Sequence, residues 1–136
     1  MSRPLSKTQN LVAWIAALVA VVILGQTLYF KFTGQPESKY IFEKLGAEPW
    51  GRYGSGAVEL LAVLLLLSPR TAAIGAVLAM GTMAGAIASH LGPLGVEVQG
   101  DGGTLFTLAI VTFVSVAIVA FLRRGTLPVV GARLAR

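Results

Sequence analysis

The chain has 136 residues, 55% of them hydrophobic and 12% charged, with a formal net charge of +5. A soluble domain carries about 25% charged residues, so this chain has too few polar side chains to cover a water-facing surface. A mean hydropathy of +0.77 points to lipid as the solvent. There is no cysteine, which excludes disulfides, thiolate metal sites and dithiol relays. The single histidine, His90, excludes a haem held between two histidines of one chain. The cations sit at helix ends and in short loops, where membrane orientation accounts for them without nucleic acid.

Residues 11–30 are apolar apart from Gln26 and Thr27, and about 20 residues is what a helix needs to cross ~30 Å of hydrocarbon. The stretch ends in bulky Leu28-Tyr29-Phe30 instead of a small-x-small cleavage site, so it reads as a retained span and not a secretory signal. Residues 31–52 are polar, with Gly34, Pro36, Gly46 and Pro49 as breakers. Within them residues 38–45 predict two turns of helix, with Ser38 as N-cap and Tyr40, Ile41 and Leu45 on one face. Tyr40, Trp50 and Tyr53 suit the headgroup zone, so this helix is expected to lie at the interface.

The second span is predicted over 54–68. Pro69 ends it, and Thr71 is placed to cap the third span, 71–91. A loop with several glycines and no Lys or Arg follows, then the fourth span, 104–122, and a tail carrying Arg123, Arg124, Arg133 and Arg136. The fold expected is all-α: an integral membrane four-helix bundle, one domain over 1–136, with a short interfacial helix in the first outer loop. Arg3, Lys7, Arg70 and the four tail arginines outnumber Lys31, Lys39, Lys44 and Arg52, which puts both termini on the cytoplasmic side.

Lipid tails are as apolar as leucine, so close backbone packing must hold such a bundle together. The third span is rich in Ala and Gly. Gly81 and Gly85 form a GxxxG with Ser89 one turn on, and this stripe is expected to pack against neighbouring helices of the same chain. A homodimer seam, giving a homo-oligomer, is the alternative.

Glu59 is the one acidic residue inside a predicted span. An ionisable group there costs at least ~2.5 kcal/mol on insertion scales and raises the question of function. The alternating spans carry Gln26, Lys31, Arg52, Glu59, His90, Glu97 and Asp101 to the outer third, as a candidate polar pocket. Simpler roles stand beside that one. Glu59 can pair with Lys31 or Arg52, His90 can bind helix-end carbonyls, and Asp101 can sit at the positive end of the fourth helix. The spacing of His90, Glu59, Glu97 and Asp101 matches no metal-ligand pattern, so no metal is expected.

Lys31-Phe32-Thr33-Gly34, Phe42, Leu45-Gly46, Glu48-Pro49, Arg52, Gly56, Glu59-Leu60 and the leucine run to Pro69-Arg70-Thr71 resemble the DoxX-like family of small membrane proteins. Gly85-Ala86-Ile87, Ser89-His90-Leu91 and Asp101-Gly102-Gly103 continue the likeness, which covers roughly residues 10–124. The resemblance implies a four-helix membrane bundle in a bacterial inner membrane. It also implies an association with quinone-linked redox systems, and relatives that work through cysteine pairs are no guide here. Three functions follow as expectations. One is an accessory or anchoring subunit with no catalytic motif of its own, partnered by the lipid bilayer and a redox enzyme. Another is a quinone-binding subunit, with His90 and Glu59 on the quinone carbonyls and Trp50 or Tyr53 stacked on the ring. The last is a small-solute transporter coupled through Glu59.

Overall fold

The computed structural model describes residues 4–128, and among these all regular structure is helical. In order the helices are α1 (Lys7–Thr33), α2 (Pro36–Lys44), α3 (Trp50–Leu66), α4 (Ala72–Leu91) and α5 (Thr104–Leu122), followed by one 3₁₀ turn, Arg124–Thr126. Arg3, Arg133 and Arg136 lie outside the described residues.

α1 is longer than the 11–30 stretch because polar residues extend both ends. Ser6 caps it: its Oγ accepts from Gln9 N at 3.1 Å while its own N–H donates to Gln9 Oε1 at 3.0 Å, a reciprocal pair that satisfies two otherwise orphan donors. Gly34, with φ 65°, ends the helix in the left-handed conformation that glycine adopts without a Cβ penalty. Pro36 then starts α2 at its first turn, where a missing N–H costs nothing. The cap of this short helix is therefore Gln35, and Ser38, expected to cap it, is buried inside its first turn. Thr71 precedes α4 but makes no side-chain cap; its hydroxyl donates to Leu65 O at 2.7 Å and braces the turn.

α1 packs on α3 and α5, and α4 packs on the same two, so these four helices close a ring. α2 lies across one end against α1 and α3. Three helices, α1, α4 and α5, are long and apolar enough to cross a membrane. α3 has 17 residues and buries Arg52 and Glu59. The ring is sealed by small side chains: Ala16, Ala17 and Ala20 of α1, Ala62 of α3 and Ala72, Ala76 and Ala79 of α4 all lie in one core with Val116 and Val119 of α5. Small residues let backbones approach, which is how helices gain contact in lipid.

Among the glycines, the closest approach between two packed helices is at Gly75. A Cβ there would stand 2.8 Å from Ala62 O, 2.8 Å from Leu65 Cβ and 3.0 Å from Leu66 N. The packing role expected of Gly81, Gly85 and Ser89 falls about two to four turns earlier, because α4 meets α3 tightly near their shared turn. A Cβ on Gly81 or Gly85 would meet nothing within 4 Å. At the same end of the ring Arg123, buried at the close of α5, donates from Nη2 to Asn10 Oδ1 at 3.1 Å and lies over the Trp14 ring. It ties the last helix to the first.

Gly75→Val should therefore cost about 1–3 kcal/mol by overpacking, whereas Gly81→Ala should change stability by under ~0.5 kcal/mol. Thermal unfolding of both variants in a mild detergent distinguishes them. Equal losses would disprove the assignment of Gly75 as the contact glycine.

Candidate functional site

Towards the α2 end the ring opens around a cavity of about 410 Å³. α1 supplies Gln26, Thr27, Phe30 and Lys31, and α3 supplies Ser55 and Glu59. α4 supplies Gly81, Thr82, Gly85, Ser89 and His90, while Leu105, Leu108, Ala109 and Thr112 of α5 complete the wall. Ser38, Ile41 and Phe42 of α2 close over the cavity. Gly81 and Gly85 create room here instead of contact.

The polar centre is an ion pair. Lys31 Nζ donates to Glu59 Oε1 at 2.5 Å, with side chains only 15% and 3% exposed. Thr27, one turn before Lys31, places its hydroxyl 3.2 Å from Glu59 Oε2 and 2.8 Å from Leu24 O. The ammonium also lies 5.7 Å from the centre of the Phe42 ring, a distance at which the ring face attracts a cation. Lys31 is thus the partner of Glu59, and Arg52 is not.

Arg52, buried in the first turn of α3, turns to the loop before it. Its Nε and Nη2 both reach Glu48, at 2.8–2.9 Å, and Nη1 donates to Lys31 O. The guanidinium hydrogen bonds hold the Glu48 carboxyl below the usual carboxylate range. This fork fixes the end of α1 against α3 and so steadies the Lys31 side chain, without reaching the cavity.

His90 is buried at the end of α4. Its Nδ1 is 3.1 Å from Gly95 O. A carbonyl only accepts, so Nδ1 carries the hydrogen. The ring tilts against Phe106 with 5.6 Å between centroids, and His90 also lines the cavity.

Glu97 and Asp101 do not join them. Asp101 Oδ1 accepts from Val98 N and Gly103 N, and Oδ2 from Leu105 N at 3.1 Å; Glu97 accepts from Gly102 N. Both carboxylates shape the loop and the start of α5. Desolvation raises the Asp101 pKa, but the three backbone donors, with a smaller contribution from His90, outweigh it and leave the carboxyl below its ordinary value. Among the described residues no three His, Asp or Glu side chains gather as a metal site would require. Trp50 and Tyr53, expected to stack on a ligand ring, do not line the cavity. Trp50 is 81% exposed, and Tyr53 lies under the Arg52 guanidinium, 4.4 Å from its ring centre. The aromatic rings that line the cavity are Phe30 and Phe42.

Thr27, Ser55 and Phe42 were not singled out from the sequence. Thr27 had a signal, since it stands four residues before Lys31 and shares its helix face.

Glu59→Gln leaves the Lys31 ammonium without its counter-ion and should cost about 3 kcal/mol of stability; adding Lys31→Met should recover most of it. A double-mutant cycle by thermal unfolding in detergent checks this, and additive losses would rule out the pairing. Asp101→Asn should cost about 1 kcal/mol. The native Asp101 pKa is depressed, so its contribution is complete above the unfolded value of about 3.9 and fades as pH falls through the lower native value. The stability curves of parent and variant should therefore converge below about pH 3.9, and a gap that widens there would disprove it.

The model of the DoxX-like family matches residues 14–117. No curated protein and no solved structure matches the chain.

Proposed function

The chain belongs to the DoxX-like family, and from the geometry of its cavity we propose that it is a four-span accessory subunit holding a small amphipathic molecule, of quinone type, drawn from the bilayer. The cavity carries this reading. Ligand sites typically measure about 300–1,000 Å³ and combine apolar walls with a few convergent polar groups. Here about 410 Å³ is lined mainly by apolar atoms, with Lys31, Glu59, Thr27, His90, Gln26 and Glu37 among the polar groups.

Access from lipid has its own support. Gln26 of α1 and Gly81 and Gly85 of α4 line the cavity and are also exposed on the flanks of the ring. A head group can sit inside while an apolar tail leaves between helices. The residues fit a quinone: Lys31 has ammonium hydrogens beyond the one given to Glu59, and Phe30 and Phe42 offer ring faces. A quinone, when bound, would supply two-electron, two-proton chemistry. This chain would bind and orient its head and keep bulk water away from it. With no cysteine and one histidine the chain lacks the ligands for a thiolate-held cluster or a bis-histidine haem, so electrons would pass through a partner enzyme.

The fourth span in this reading is α3. Its 17 residues reach about 26 Å at ~1.5 Å each, and Leu60, Leu61 and Leu64 are exposed along it as lipid-facing side chains are. The distribution of Lys and Arg supports cytoplasmic termini, with the cavity in the outer half, and the family resemblance is what favours a bacterial inner membrane.

Two experiments test the proposal. Lipid extracts of protein purified from native membranes should contain quinone in near-stoichiometric amount, and Gly85→Leu, which fills the cavity, should lower it at least tenfold; extracts no richer than an empty-detergent control would end the reading. For topology, the chain has no native cysteine, so single replacements report cleanly. Val96→Cys should react with an impermeant maleimide in intact cells and Arg70→Cys only after permeabilisation. The reverse pattern would invert the orientation.

A further inference from the structure

Hydrogen-bond polarity in the cavity goes further than size. Gly95 O can only accept, so the hydrogen of a neutral His90 ring is committed to Nδ1. Nε2 is then a bare acceptor. It has no partner among the side-chain hydrogen bonds, yet the described residues leave no fully buried side-chain nitrogen or oxygen unpartnered. The small accessible remainder of this 5%-exposed residue therefore includes Nε2, in a side chain that lines the cavity. Glu59, another acceptor on the wall, already accepts from Lys31 and has the Thr27 hydroxyl beside it. α4 thus offers an unused acceptor, while α1 offers the unused hydrogens of Lys31.

We infer that the cavity selects a head group bearing a hydroxyl, with the hydroxyl donating to His90 Nε2 and a second oxygen accepting from Lys31 Nζ. This rests on the ligand class proposed above and sharpens it: the preferred form is the hydroquinone or a related phenol. A quinone, whose two oxygens only accept, would face the Nε2 lone pair with nothing to donate. A buried acceptor opposed by another acceptor is a desolvated, unpaired group, and that is the costly arrangement in a dry site. His90 is in this account a specificity-determining residue.

The test uses the intact protein in detergent at pH 8, under argon. Binding of a short-chain hydroquinone is compared with that of its quinone, which adds no bulk, and its dimethyl ether, which removes both donors. The hydroquinone should bind about five- to tenfold tighter than either, in line with one additional hydrogen bond in a dry site. His90→Phe keeps a ring beside Phe106 and should abolish the preference. Equal binding of the three compounds to the parent protein, or a preference that survives in a folded His90→Phe protein, would overturn the inference and leave the bilayer-ligand reading intact. Binding of none of them would remove both. The comparison on the parent protein decides the matter even if the variant does not fold.

Discussion

A carboxylate as enclosed as Glu59, at 2% exposure, cannot stay ionised without a counter-charge and hydrogen bonds. Much of the α2 end follows from meeting that condition. Lys31 reaches Glu59 only because α1 continues helical through Thr33, which keeps Lys31 and Thr27 on one face. Gly34 then turns the chain back within one residue, and α2 brings Phe42 beside the ammonium. Arg52 completes the arrangement by binding Lys31 O from α3. The guanidinium is itself held by Glu48, so one ion pair and one hydrogen bond from a paired guanidinium join α1 to α3.

The two ends of the ring use small residues in opposite ways. Near the α3–α4 turn, Gly75 sits against the backbone at Ala62 and the alanines of three helices close the core. Towards α2, Gly81 and Gly85 have no neighbour to meet, and the space they leave is part of the cavity. One helix, α4, is thus a tight contact for its first turns and a recessed wall for its last. Van der Waals packing drives association in lipid, so the closed end carries the cohesion that lets the other end remain open.

Much of this was legible in the residues. Length and hydropathy gave the four helices that build the ring, and Glu59 marked the polar centre because a lone acid in an apolar run has few explanations. Gln26, Lys31, Glu59 and His90 line one cavity. What failed was the assignment of polar residues near helix ends. Arg52, Glu97 and Asp101 lie at the expected end but spend their charge on loop backbone and on Glu48, and sequence spacing does not separate a carboxylate that caps a helix from one that faces inward. The GxxxG stripe misled for a related reason. The pattern reports where a helix could be approached closely, whereas the register that brings Gly75 to Ala62 is set by the length of the turn between α3 and α4. Arg123 was read as an orientation signal, and its bond to Asn10 spans a separation no local pattern reports.

That bond joins the first helix to the last, so during synthesis it can form only after the last helix has emerged. α3 and α4 can pair as a hairpin soon after both exist, and Lys31 can find Glu59 once α3 is in place. The α5-facing side of α1 has to wait for the final helix, about 5–20 s later at ordinary rates of synthesis. Alanines exposed to lipid lose little in that interval, since lipid and protein are similarly apolar. A polar or bulky residue there would invite an early wrong neighbour. The alanine seam of α1 is therefore suited to waiting as well as to packing, and the meeting of Asn10 with Arg123 marks the moment at which the ring is complete.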